Sequence, residues 1–204
     1  AQVSLGVAIP LAYAIQSGFA SLKKLKAISL SIDAFERKDE LQIDRAWTSA
    51  REVRPGDSVD LTVVLAGENG REVSRKVSYR VPVGAPLGAL YFTVADGNLT
   101  NLAEFQQLVG VPARSASQVV DLLNALRDNE KAYVRVWRAD AGYQVDGVDF
   151  PDPPPSVALI LARAQAGAGN LAAWHGSKIA ELEISAGPAV ISGSKTVEVE
   201  VKQD

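Results

Sequence analysis

Hydrophobic residues recur at every second position through most of the first half of the chain. The clearest case is residues 57–65, where Val59, Leu61, Val63 and Leu65 keep this spacing, which is typical of a strand with one buried face. The same period appears in four further segments, residues 25–35, 40–49, 71–83 and 88–96. Because turn residues such as those at 67–70 separate these segments, the pattern predicts an antiparallel β-sandwich.

The hydrophobic spacing changes from that of a strand to that of a helix after Asp96. Apolar residues then recur every third position, at Leu99, Leu102 and Phe105. We therefore expect one helix over about residues 99–109 and a second over about residues 117–127, with Ser115 or Ser117 at the N-terminus of the second. Its core-facing stripe should consist of Val119, Leu122, Leu123 and Leu126.

The rest of the chain returns to strands. Residues 131–150 predict a strand, a turn centred on Ala141-Gly142 and a second strand. Residues 178–202 predict three strands, with turns at Gly187-Pro188 and Gly193-Ser194. Residues 167–170 are rich in glycine and are expected to form a loop.

Three consecutive prolines, Pro153 to Pro155, suggest either a structural bend or a ligand for a partner. Proline cannot donate a hydrogen bond in a sheet, so we expect the preceding strand to end at Phe150. Ser156 can then begin a helix whose apolar side chains are buried. The alternative is a proline-rich ligand, because a PxxP match runs from Pro151 to Pro154.

These elements together predict an α+β protein. Its main part is an antiparallel, immunoglobulin-like β-sandwich, with an inserted or appended subdomain of helices and a hairpin. We assign residues 1–96 plus 177–204 to the sandwich. Residues 97–176 form the α+β portion, with two helices, a hairpin and the short helix after the prolines. Residues 3–15 look like a signal-peptide core but lack a basic leader and contain Pro10, so we expect a strand and a short helix there.

Composition excludes several classes of function. The chain has 204 residues, of which 47% are hydrophobic and 22% charged, as expected of a globular protein. A net charge of −3 gives no footprint for nucleic acid. We find no segment long enough to insert into a membrane. The absence of cysteine excludes a disulfide framework, a thiolate zinc site and a cysteine nucleophile.

The sequence offers few residues for catalysis. His175 is the only histidine, and a triad would need it beside a hydroxyl nucleophile and an acid. Ser177 lies two residues away, and no GxSxG motif occurs. The acidic clusters at residues 146–152 and 181–183 lack the spacing of a calcium loop. The glycine-rich segment lacks a P-loop lysine. We therefore expect no catalytic residue, no metal and no cofactor.

Four segments in a particular order resemble a known family. Residues 46–97 contain a tryptophan-led strand, an RPGD turn, a polar hairpin and a strand ending in Asp96-Gly97. The later segments are residues 122–147, 151–161 and 192–201. Together they resemble the region that follows the peptidase domain in bacterial proteins of the SpoIVB-type serine peptidase family. The similarity covers residues 28–201, nearly the whole chain.

The resemblance implies a noncatalytic, extracytoplasmic accessory domain of a bacterial protein, located in the periplasm, on the envelope or outside the cell. The catalytic histidine and serine of the family belong to an upstream domain, so His175 inherits no catalytic role. The implied partner is that upstream peptidase domain or an envelope protein, which this domain would position.

Two alternatives remain open. The chain can be an independent β-sandwich module for binding or adhesion, which recognises a protein or a glycan. Its contacts would then be aromatic residues exposed in turns, with Tyr143, Trp174 and His175 as the candidate binding surface. The third hypothesis is a hydrolase that uses His175 as its base.

Overall fold

The structure is a computed structural model that describes residues 12–20, 39–108, 116–145, 148–150, 153–164 and 171–203. Within these ranges the chain is mostly β, with ten strands in two sheets and a few short helices. Residues 12–16 are helical, as expected. The strands predicted near residues 3–11 and 25–35, and the loop at residues 167–170, lie outside the described residues.

The elements are as follows in chain order. The strands are β1 (Glu40–Thr48), β2 (Glu52–Val53), β3 (Ser58–Gly67), β4 (Glu72–Arg80), β5 (Gly88–Asp96), β6 (Lys131–Val145), β7 (Val148–Phe150), β8 (Leu171–Ser185), β9 (Val190–Ser192) and β10 (Ser194–Val201). The helices are α1 (Gly97–Leu108), α2 (Ala116–Asn124) and α3 (Pro155–Ala164). None of the helices in the described ranges is long and apolar enough to cross a membrane.

The strands form two sheets in which the long pairings are antiparallel. The first sheet has the order β4-β3-β1-β9, and the second has the order β2-β10-β5-β6-β7, with β8 along the other edge of β6. Two short strands pair in parallel, β9 with β1 and β2 with β10. The long strands therefore pair antiparallel, as predicted. The two short parallel pairings were not predicted.

Both sheets contribute to one hydrophobic core. In β3, Val59, Leu61, Val63 and Leu65 are all buried, which confirms the alternation predicted for this strand. Tyr79 of the first sheet meets Phe92 of the second edge to face, with 5.8 Å between ring centroids. Burial of each such side chain stabilises the fold by about 1.5–3 kcal/mol. This shared core is consistent with a β-sandwich-like arrangement.

A bulge in β1 changes which side chains face the core. Leu41 and Ile43 are buried, as their spacing predicts. The pairing with β3 shifts register between Ile43 and Arg45, and one extra residue exchanges the two faces of a strand. Trp47 is consequently exposed, although the alternation placed it in phase with Ile43.

The prediction of a turn at Ala141-Gly142, within residues 131–150, was wrong, because β6 spans these two residues. The strand runs without a turn through Ala141 and Gly142, and β8 pairs with it on both sides of that point. Its side chains at Ala132, Val134 and Val136 are buried in the shared core. The hairpin that we had assigned to a separate α+β portion is thus built into the second sheet, through the pairing of β6 with β5.

The predicted helices form, but their apolar faces are less covered than expected. Val119 in α2 is buried, whereas Leu99 and Leu102 in α1 are exposed. Helix α3 begins at Pro155, the helical position that best tolerates proline. Its apolar side chains are not buried, contrary to the prediction: the exposed ones are Val157, Leu159 and Ile160. Helix α3 contacts β8 of the second sheet. The three exposed side chains show that this contact covers only part of the helix surface.

The Asp96 side chain joins three elements. It lies where the hydrophobic spacing of the sequence changes from that of a strand to that of a helix. Its Oδ1 accepts a hydrogen bond from the Leu99 N–H at 2.8 Å and so caps α1. Its Oδ2 accepts from the Gly193 N–H, also at 2.8 Å, in the turn before β10. The carboxylate also lies at the positive end of the helix dipole. One buried side chain therefore fixes α1 against both β5 and β10.

We predict that Gly97→Ala destabilises the protein. A Cβ at Gly97 would overlap the carbonyl oxygen of Asp128 and would lie 3.0 Å from that of Arg127. The backbone must therefore shift, at a cost of roughly 1–3 kcal/mol in the free energy of unfolding. The measurement is urea denaturation followed by circular dichroism.

Gly84→Ala is the matched control, because nothing lies within 4 Å of its Cβ position, and we expect a change below about 0.5 kcal/mol. Helix propensity alone favours alanine over glycine by about 1 kcal/mol. A Gly97→Ala protein as stable as the parent, or more stable, would therefore show that the close approach of α1 to Asp128 is wrong.

Candidate functional site

A groove lies between α1 and the outer face of the second sheet. Strand alternation creates it, because Phe92, Val134 and Val136 face the core while their neighbours face outward. Its volume is about 290 Å³. The sheet contributes Thr93, Ala95, Arg135, Trp137 and Ser194 to the lining. Helix α1 contributes Leu99, Thr100, Leu102, Ala103 and Gln106.

Trp137 forms a rigid aromatic surface in this groove. Its ring stacks on that of Tyr91, its cross-strand neighbour, with 4.6 Å between centroids and 23° between planes. Its Nε1 donates a hydrogen bond to Thr93 Oγ1 at 2.9 Å, which fixes the ring in its plane. The Thr93 hydroxyl also lies 2.9 Å from that of Thr196. The indole is therefore held from two directions without a ligand.

Arg135 lies beside Trp137 and contacts a backbone carbonyl oxygen. Its Nη2 donates to the carbonyl oxygen of Gly176 at 2.6 Å. Its guanidinium carbon lies 5.8 Å from the Trp137 ring centroid, within the range of a cation–π interaction. The Nε is buried and has no hydrogen-bond partner. No carboxylate of the described residues lies within ion-pair distance of this guanidinium.

Four charged residues next to the groove neutralise one another. Arg127 binds Glu104 at 2.5 Å and Glu181 at 2.6 Å. Lys178 binds the same two carboxylates, at 2.5 and 3.2 Å. The cluster joins α1 to β8, because Glu104 belongs to the helix and Glu181 to the strand. Two cations balance two carboxylates, so these four groups together with Arg135 have a net charge of +1.

The protonation of the cluster follows from these contacts. Burial of Glu104 would by itself raise the pKa of its carboxyl, but hydrogen bonds from Arg127 and Lys178 outweigh burial and lower that pKa below its ordinary value. Burial lowers the pKa of Arg135, and Arg127 lowers it further, while Glu104 and Glu181 oppose this. A guanidinium nevertheless stays protonated at physiological pH. The groove therefore carries one permanent positive charge.

The two threonine hydroxyls in the groove have structural roles. Thr93 accepts from Trp137, and Thr100 Oγ1 donates to the Asp96 carbonyl oxygen at 2.7 Å. In the described part of the chain, no three acidic or histidine side chains are grouped as a metal site requires. The lining thus offers a cation, an aromatic ring and an apolar wall, which are the means of binding a ligand.

Two of the three residues predicted as a binding surface have side chains that the structure does not describe, and the third is buried. Tyr143 is in β6 and is buried, so it is not an exposed turn residue, and this prediction was wrong. The reason is that β7 and β8 pair with β6 on both sides of Tyr143. Trp174 and His175 lie in β8 rather than in a loop. Their side chains lie outside the described residues, so their role in binding stays a prediction.

Arg135 and Trp137 were not among the residues predicted from the sequence. The available signal was the alternation in residues 133–137, where Val134 and Val136 separate Tyr133, Arg135 and Trp137. A cation and aromatic rings on one strand face indicate a surface for contact. What the alternation could not show is that α1 would form the opposite wall.

Comparisons with known proteins add no identification. No protein-family model matches the chain, no curated protein matches it, and no solved structure matches it. The geometry of the groove and the residue patterns of the sequence are therefore the features that bear on function.

We predict that Glu104→Gln destabilises the protein at neutral pH by roughly 1–3 kcal/mol, because it leaves the Arg127 guanidinium without one of its two partners. The folded-state pKa of Glu104 is lower than its ordinary value of 4.5. Its stabilising contribution is therefore complete above pH 4.5 and is lost as the pH falls through the folded-state pKa. Chemical denaturation at several pH values measures this difference.

The control is Glu72→Gln, which removes an exposed ion pair with Arg45 on the other sheet. Its effect should stay below about 1 kcal/mol at neutral pH. Equal losses from the two substitutions, or a Glu104 effect that persists unchanged well below pH 4, would contradict the proposed coupling of Glu104 to Arg127.

Proposed function

We propose that this chain is a noncatalytic interaction domain of an extracytoplasmic bacterial protein. It positions a serine peptidase of the SpoIVB type, or a protein partner of that peptidase in the envelope. The observation that carries the proposal is the groove under α1, with Arg135 and Trp137 on one wall and exposed leucines on the other. Arginine and tryptophan are the residue types that most often dominate binding energy at protein interfaces.

The fixed orientation of Trp137 supports a contact function. The indole of Trp137 is already fixed by Tyr91 and Thr93, so little side-chain entropy is lost when a partner covers it. Leu99 and Leu102 are 40% and 42% exposed. Covering them removes apolar surface from water, which favours association.

The link to a peptidase rests on the sequence pattern. The RPGD segment forms a tight turn, in which the Asp57 carboxylate accepts a hydrogen bond from the Arg54 N–H at 2.9 Å. Gly56 has a φ of 98°, a conformation that favours glycine. The turn leads directly into β3, which begins at Ser58. We extend the proposal to an immunoglobulin-like sandwich, on the basis of the two sheets and their common core.

We expect the chain to bind a SpoIVB-type serine peptidase domain with a dissociation constant in the micromolar range. A contact centred on one small groove buries less area than a permanent interface, so the affinity should be modest. Isothermal titration calorimetry, with the catalytic serine of the peptidase replaced by alanine, measures it. Trp137→Ala should weaken binding about 30-fold, the usual loss for a central aromatic residue.

Trp47→Ala is the matched control, because Trp47 is exposed on the first sheet, and it should bind as the parent does. Binding of a different protein or glycan, with none to the peptidase, would favour the independent module instead. Turnover of esterase or peptidase substrates that His175→Ala abolishes would contradict a noncatalytic function.

A further inference from the structure

We propose that the groove between α1 and strands β5 and β6 binds a peptide segment that carries an aspartate or glutamate side chain beside an apolar side chain. The carboxylate would approach Arg135, and the apolar side chain would lie between Trp137 and the leucines of α1. This inference deepens the proposed function and rests on it, because it specifies the chemistry of the partner.

The charge balance of the site gives the first argument. Arg127 and Lys178 are each bound to Glu104 and Glu181, so these four charges cancel. Arg135 is the fifth charged group, and its Nη2 donates to the backbone carbonyl oxygen of Gly176. A partly buried guanidinium is stabilised by an anion, and its planar arrangement of N–H donors fits a planar, two-oxygen group. A carboxylate is such a group.

The walls of the groove indicate that part of the ligand is apolar. The Trp137 ring forms one wall, and Leu99 and Leu102 form the other. All three lie in a single groove. The hydroxyls of Thr93 and Thr100 already have intramolecular partners, and Gln106 and Ser194 are the other uncharged polar residues of the lining. A glycan would need several such polar groups. An aliphatic or aromatic side chain needs only the apolar walls.

Size and charge geometry favour an internal acidic side chain over a chain terminus. A volume of about 290 Å³ is near the lower limit for ligand pockets, about 300 Å³. It has room for two adjacent side chains but not for a large cofactor. C-terminal carboxylates are typically held by successive backbone N–H groups, whereas here the cation is a side chain on a strand.

The test uses the full chain labelled with ¹⁵N and four short peptides. All four have an acetylated N-terminus, and the first three also end in an amide. The first contains Glu-Phe between glycine and serine residues, the second Gln-Phe, and the third Glu-Gly. The fourth contains Phe at a free C-terminal carboxylate in place of the amide. Nuclear magnetic resonance titration follows the indole N–H signal of Trp137, assigned by its loss in Trp137→Phe.

We expect the Glu-Phe peptide to shift the Trp137 signal and to bind at least about tenfold more tightly than the Gln-Phe and Glu-Gly peptides, since a charged hydrogen bond and a buried ring each contribute that much. Arg135→Gln should remove the preference for Glu-Phe over Gln-Phe. Arg45→Gln, which changes an exposed arginine on the first sheet, should leave the preference intact.

A second variant keeps the test valid if Arg135→Gln does not fold. Leu102→Glu changes an exposed residue and places a carboxylate on the groove wall, so it should abolish binding of Glu-Phe by repulsion. Equal affinity for Glu-Phe and Gln-Phe would overturn the proposal, and so would tight binding of the free C-terminal peptide alone. Absence of any Trp137 shift at millimolar peptide would overturn it as well.

These outcomes are separable from failure of the proposed function. If the peptidase domain binds and Trp137→Ala weakens it, but no acidic peptide binds, only the ligand chemistry is wrong. If the acidic peptide binds and the peptidase domain does not, the groove is an acidic-peptide site of a domain with another partner.

Discussion

The register of β6 is the constraint on which both the core and the groove depend. Ala132, Val134 and Val136 lie in the core, and Arg135 and Trp137 on the opposite face. Because side chains alternate along a strand, a slip of one residue would place the arginine in the core and the valines in the groove. Neither face could tolerate that exchange: a buried guanidinium would lack its solvation, and the groove would lose its cation.

Helix α1 is held over this face by two kinds of contact. At its N-terminus the Asp96 carboxylate caps it and binds the Gly193 turn. Further along, Glu104 meets Arg127 and Lys178. The side chain of Arg127 is only 10% exposed, so this ion pair is less screened than the exposed pairs elsewhere on the protein. The same contacts that stabilise α1 therefore determine the width of the groove.

The two sheets are also linked outside the core. Arg75 of β4 donates from its Nε to the carbonyl oxygen of Ser185, at the end of β8, at 2.9 Å. Among the described strands, β4 lies at an edge of the first sheet, and its exposed side chains include Arg75 and Lys76. Charged residues on an edge oppose pairing with other chains. The charges on β4 therefore make this edge unfavourable for strand pairing with another chain.

Local patterns in the sequence were sufficient for much of the fold. The alternation in β3, the hairpin at residues 67–70 and the change to helix at Asp96 appear as predicted, and the helix expected from Ser156 begins one residue earlier, at Pro155. Each of these depends on residues close in the chain, because backbone preferences and turn chemistry are local.

Only the tertiary structure decided the features that depend on distant residues. The pairing of β6 with β8 overrides the turn signal at Ala141-Gly142, since two long strands gain more hydrogen bonds than a local turn provides. The exposure of α3 depends on which element packs against it. The groove itself requires Arg127 and Glu181, which are 54 residues apart, to meet beside α1. Sequence spacing carries no information about such a contact, because chain folding alone brings those side chains together.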